Sequence, residues 1–190
     1  IILRAGEPSR RIENNIVKKS LELLEIKIHE IPNRSGVRAD GGEFYYCAHD
    51  KVLFSGMQRN TRSGVDFVAE ELNVNEVVLL EGEGYHLDTF FTPALNKNGH
   101  IAALIICEEI LKPKSKKALY NFSDHKSIPV FTIPVIDAIG TKKKIGTFAA
   151  NALPLPGVLF RPDYFSNPSI DEQLKELGIN INSVPVLDLR

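Results

Sequence analysis

Apolar residues in this chain fall into short runs and helical stripes that alternate in a fixed order. Two aromatic and β-branched runs, Glu43 to Cys47 and Val52 to Phe54, flank the turn Ala48-His49-Asp50-Lys51 and predict a hairpin. Val65, Val68, Ala69 and Leu72 then recur at helical spacing, and Glu76 to Leu80 supplies a Val-rich strand. The order strand, strand, helix, strand returns with Leu87 to Phe91, Ile101 to Cys107, a Lys-rich helix around Ser115 to Phe122, and Ile128 to Ile133. It returns again with Thr147 to Leu153, Val158 to Phe160, Ile170 to Leu177, and Val184 to Leu187. A half unit precedes them: Ile1 to Leu3, a helix from about Arg10 to Leu24, and Ile26 to Ile31. Helix starts near residues 10, 64, 115 and 170 set a period of roughly 50 residues, enough for one supersecondary unit per repeat. Such repetition predicts an α/β fold arranged as a ring or stack that this chain does not finish; a single mixed sheet with helices on one side is the alternative.

Composition narrows the class. With 190 residues, 43% apolar and 25% charged, the chain can bury a real core, and one domain covering residues 1–190 is compatible with its length. Lys and Arg number 23 against 24 Asp and Glu, so 23 − 24 gives a net charge of −1, without the basic excess that phosphate-backbone binding needs. A nucleic-acid partner is therefore not expected. The longest apolar stretch, Ile101 to Cys107, is far too short to span a bilayer, and the expected setting is cytoplasmic, away from membranes. Cys47 and Cys107 lie 60 residues apart in apolar runs, which predicts buried thiols rather than a disulfide framework. No His pair has ligand spacing, so neither a metal nor another cofactor is expected. The chain opens on Ile1, not Met, and its natural start is expected upstream.

Three clusters could carry chemistry: Asp40-Gly41-Gly42-Glu43, Gln58-Arg59-Asn60-Thr61-Arg62 and Tyr85-His86-Leu87-Asp88-Thr89. If residues 86–89 begin a strand, His86 and Asp88 share one face, placing a proton-transfer group beside a fixed negative charge. Taken singly, His-x-Asp is more often a strand-end pair of no catalytic role. Asp40 before a double glycine is at least as readily a turn, and Arg59 alone is more readily a solvated loop charge. Pro8-Ser9 caps a helix whose first turn holds Arg10 and Arg11, an unfavourable end for cations unless an anion compensates. Glu13 is one such anion; a bound carboxylate or phosphate gripped by an arginine fork is another.

Taken together, the clusters resemble the dimethylarginine dimethylaminohydrolases and their relatives, the arginine deiminases and amidinotransferases. Arg4-Ala5-Gly6-Glu7-Pro8-Ser9-Arg10-Arg11-Ile12-Glu13 is similar to the first family's Arg-x-Gly-x-Pro-Ser-Arg-Arg-x-Glu segment. Asp40-Gly41-Gly42-Glu43 is similar to its acid-Gly-Gly-acid turn, and Gly56 to Gly64 to its Arg-Thr-Asn loop, with the order here Arg59-Asn60-Thr61. His86-Leu87-Asp88-Thr89-Phe90-Phe91-Thr92 looks more like the deiminases, since the dimethylarginine hydrolases usually lack an acid at position 88. The resemblance implies a pentein-type α/β propeller of five strand-strand-helix-strand modules, of which this chain would supply an incomplete ring.

It also implies a hydrolase acting on the guanidino group of arginine or methylarginine, giving citrulline and an amine through a cysteine-linked intermediate. By motif, His86 is the general acid and base and Asp40 orients it. Arg10 and Arg59 grip the substrate's α-carboxylate, and Asp88 contacts the guanidinium. The expected partner is thus a small guanidino compound, and a homo-oligomer is compatible. The family's nucleophilic cysteine lies beyond the segment matching Val184 to Arg190, and Cys47 and Cys107 match no such position. Amidino transfer is a close variant. A catalytically inactive binding module of the same architecture is the other alternative, with Lys112 to Lys117 and Lys142 to Lys144 as its contact surfaces.

Overall fold

The structure, a computed structural model, describes residue 1 and residues 11–32, 34 and 36–184. After a leading helix α1 (Arg11–Leu23), one unit occurs three times. Its first copy is β1 (Phe44–Cys47), β2 (Val52–Gly56), α2 (Arg62–Glu71) and β3 (Glu76–Leu80). The second copy comprises β4 (Phe91–Leu95), β5 (Ile101–Ile106), α3 (Pro113–Lys126) and β6 (Val130–Thr132). A two-stranded ribbon, β7 (Gly140–Thr141) with β8 (Lys144–Ile145), separates it from β9 (Leu153–Leu155), β10 (Val158–Arg161), α4 (Ser169–Glu176) and β11 (Asn180–Ser183).

In each unit the first two strands pair antiparallel, and the chain crosses through the helix to bring the last strand back parallel beside the middle one. The middle strand thus has neighbours on both edges. In the first two units it also reads as an almost unbroken apolar run: every residue of β2 is buried, as are all of β5 except Ala102. Helix starts at 62, 113 and 169 keep the period read from the sequence, the spacings being 51 and 56 residues.

Local chemistry fixes the ends of these elements. Thr61 caps α2, its hydroxyl accepting from the Gly64 N–H. Pro113 opens α3 at a position where no amide donor is required, and Ser127 closes it in the left-handed region. Phe54, Phe91 and Phe122 pack ring against ring where the first two sheets and α3 meet, inside an apolar core that also takes in Leu159 and Leu174 of the third unit. A smaller cluster of Ile31, Ala39, Leu53, Val65 and Val68 holds α2 against its sheet.

Three expected strands away from residues 86–91 are redrawn. Ile26 to Ile31 forms no strand, only an isolated bridge at Glu30. Thr147 to Leu153 is mostly irregular, because Phe148 takes a positive φ of 55° and its N–H donates to Ala138; pairing begins at Leu153. The last strand lies at Asn180–Ser183, ahead of the expected Val184 to Leu187, whose residues after Val184 fall outside the described set. Ile2 and Leu3 of the expected first strand, the cap Pro8-Ser9, and Arg10 also lie outside it. Among the described residues no helix is long and apolar enough to cross a membrane.

Candidate active site

Two tight turns form the site. Asp40 leads into a 3-10 turn over Gly41–Glu43, and His86 leads into another over Leu87–Thr89. The second turn corrects the expected strand at 86–89. The Thr89 hydroxyl and N–H both donate to the His86 carbonyl, at 2.6 and 3.2 Å, and this local bonding replaces a sheet ladder, so β4 starts only at Phe91. His86 and Asp88 nevertheless meet on one side, because both pack on the backbone of Gly42. A Cβ at position 42 would lie 2.7 Å from His86 Nδ1 and 3.0 Å from Asp88 Oδ2, so only glycine lets the turns close this far.

Asp40 completes the group. Its carboxylate Oδ2 lies 3.7 Å from His86 Nε2, and each side chain is 11% exposed. Its backbone N–H donates to Asn60 Oδ1 at 2.8 Å, while the Asn60 amide donates to the Ser55 hydroxyl and the Gly56 carbonyl at 3.1 and 3.2 Å. Asn60 thereby ties the Asp40 turn to the end of β2. Asp88 Oδ1 is buried with no hydrogen-bond partner among the described residues, an acceptor held ready for a donor.

Glu43 is the residue that sequence reasoning left without a role. It is fully buried, and its carboxylate accepts from the Arg59 N–H at 2.7 Å and the Leu87 N–H at 3.1 Å, joining the arginine loop to the histidine turn. Gly56 gives it room, since a Cβ there would coincide with Glu43 Oε2. Burial pushes the Glu43 carboxyl up to about 7; the two backbone donors oppose this, and the charges of Asp40 and Asp88 add to it. Burial, then the Asp40 charge, raises Asp88 to about 6. The signal for Glu43 was the second acid of the acid-Gly-Gly-acid turn.

Arg59 lies on the loop between β2 and α2, half-buried, with its guanidinium carbon 4.2 Å from the centre of the Tyr85 ring. That ring sits 4.3 Å from the His86 imidazole, at 50°. Of the five expected site residues, four converge: Asp40, His86 and Asp88 directly, and Arg59 through Tyr85. The fifth, Arg10, lies outside the described residues. Cys47 and Cys107 are core residues whose thiols burial pushes up to about 12 and about 11, leaving almost no thiolate near neutrality. Among the described residues no group of three or more His, Cys, Asp or Glu side chains is arranged to hold a metal ion. Of the basic segments, Lys112 and Lys116 pair with Glu81 and Glu108, whereas Lys142 to Lys144 stay exposed around the β7-β8 turn.

The arrangement sets an imidazole among three carboxyl groups, with an arginine one ring away. Burial, with some charge repulsion, has lifted two of those carboxyls, so a cation placed among them is favoured. No family model matches the sequence. Solved structures do match the fold. The substrate-bound N-terminal domain of ArgZ, an arginine dihydrolase from the ornithine-ammonia cycle in cyanobacteria, is 20% identical with a TM-score of 0.76, over 97% of this chain and 63% of that one. AgrE in ternary complex with ornithine and NAD+ is 19% identical with a TM-score of 0.77, over 97% of this chain and 25% of that one. An adduct of dimethylarginine dimethylaminohydrolase with 4-chloro-2-hydroxymethylpyridine is 17% identical with a TM-score of 0.64, over 96% of this chain and 64% of that one.

These neighbours are guanidino-modifying enzymes of the pentein family, and the chain shares their α/β fold. It spans less than two thirds of each of them.

Proposed function

We propose that this chain carries the guanidinium-binding and proton-transfer half of a hydrolase that converts arginine, or a methylated arginine, to citrulline and an amine. Its three units would form part of a five-module propeller. One observation supports the reading: His86 and Asp88 close over the backbone of Gly42 and Asp40 reaches the far nitrogen of the same imidazole, setting carboxylates on either side of a proton-transfer group. Asp88, one of whose oxygens has no donor among the described residues, takes guanidinium N–H groups, and Asp40 steadies the charged form of His86. The deiminase-like acid at position 88 favours arginine over its methylated forms.

In this scheme a cysteine thiolate attacks the guanidinium carbon and forms a C–S bond. His86 gives its proton to the departing amine as the C–N bond breaks. The neutral imidazole then takes a proton from water, whose oxygen adds to the same carbon. The adduct collapses to the ureido group of citrulline, and the thiolate leaves. Neither Cys47 nor Cys107 suits that role, so the reading takes its thiolate from a cysteine other than these two.

The test is citrulline release from arginine and from dimethylarginine by the whole product of the gene. Turnover of at least one, lost in His86→Ala with the fold intact by circular dichroism, is the expected result. A well-folded product that turns over neither, or a His86→Ala variant as fast as the parent, refutes the reading.

A further inference from the structure

We infer that Tyr85 is a specificity-determining residue, one that holds the Arg59 guanidinium at a fixed distance from His86 and so selects substrates carrying an α-carboxylate. The inference deepens the proposed function and rests on it, Arg59 being the grip on that carboxylate. Arg59 is anchored at its backbone, where its N–H reaches Glu43, but the charged head lies at the end of a long, rotamer-rich side chain. The head stands 4.2 Å from the centre of the Tyr85 ring, and the His86 imidazole lies 4.3 Å from that ring. Imidazole, phenol ring and guanidinium thus form a short series that spaces the two poles of the site. A substrate with its guanidinium and carboxylate joined by a chain of set length binds only if the poles are held at a matching separation.

The phenol ring is well placed for this task. It is 54% exposed, so it is not a core residue, and its removal leaves the packing beneath the site untouched. A cation over an aromatic face at such an exposed position favours the held geometry several-fold. When the carboxylate arrives, it meets a fork already positioned beside it.

The experiment uses the whole gene product, with arginine as substrate and agmatine, which is arginine without its α-carboxylate, as competitive inhibitor. Tyr85→Ala is expected to raise the KM for arginine roughly 3- to 5-fold relative to the inhibition constant of agmatine. Tyr85→Phe, which keeps the ring, should restore the parent ratio. Equal changes in the two constants for Tyr85→Ala, or loss of the ratio in Tyr85→Phe, overturn the inference while leaving the proposed function standing. A parent protein without turnover overturns the function itself, and this inference with it.

Discussion

Glu43→Gln isolates the cost of keeping a carboxylate under the site. In the unfolded chain this carboxyl titrates at its ordinary value near 4.5, and in the fold burial lifts it to about 7. Between those two values the native state holds the extra proton, so the contribution of Glu43 to stability is complete below about pH 4.5 and is lost as pH rises toward 7. A full pH step inside that window is worth about 1.4 kcal/mol and less near either end, so the stretch from pH 5 to pH 7 removes about 2 kcal/mol. Glutamine is neutral throughout and keeps nearly the same shape, though its NH2 group faces one of the two amide donors, from Arg59 and Leu87, which adds a pH-independent penalty. Urea unfolding of parent and variant across pH 5 to 8 reads the difference directly. The stability gap should move in the variant's favour by about 2 kcal/mol as pH rises, whatever its starting sign. A gap that stays constant with pH refutes the argument that Glu43 is protonated near neutrality.

Two further changes probe the scaffold. Arg161 is buried and donates two hydrogen bonds to Asp171 at 2.7 and 2.6 Å, with a third to Ser183 at 2.9 Å, fastening β10 to α4 and β11. Asp171→Asn leaves that guanidinium underpaired and should cost about 3 kcal/mol, measured as a lower urea midpoint with an unchanged slope. At the site, Gly42→Ala puts a methyl 2.7 Å from His86 Nδ1 and should lower kcat of the whole gene product at least about 10-fold with the fold retained; parent-like turnover would show that the two turns have slack.

The three-unit order was legible because the middle strands of the first two units are almost unbroken apolar runs and α2 has one apolar stripe, and both patterns are local in sequence. The turn at 86–89 was not. Leu87, Phe90 and Phe91 have a strand-like composition, and what decides the outcome is the Thr89 hydroxyl bonding back to His86. Residues 147–152 failed for a different reason: the ribbon crosses so tightly, with Gly146 against Ala138 and Gly140, that the chain must turn rather than extend. The site itself was readable as three clusters, since each donor lies on its own short motif. Glu43 and Asn60 were not, because each works across elements: Glu43 reaches positions 16 and 44 residues away, and Asn60 acts on the backbone of Asp40, 20 residues earlier.

The central claim is that the carboxylates around His86 receive a guanidinium. Calorimetric titration of the whole gene product with arginine, beside Asp88→Asn, tests it without requiring turnover. Saturable binding to the parent is expected, with an affinity at least about 10-fold weaker in the variant, since a charge-assisted pair is removed. Equal affinity for parent and variant would contradict it.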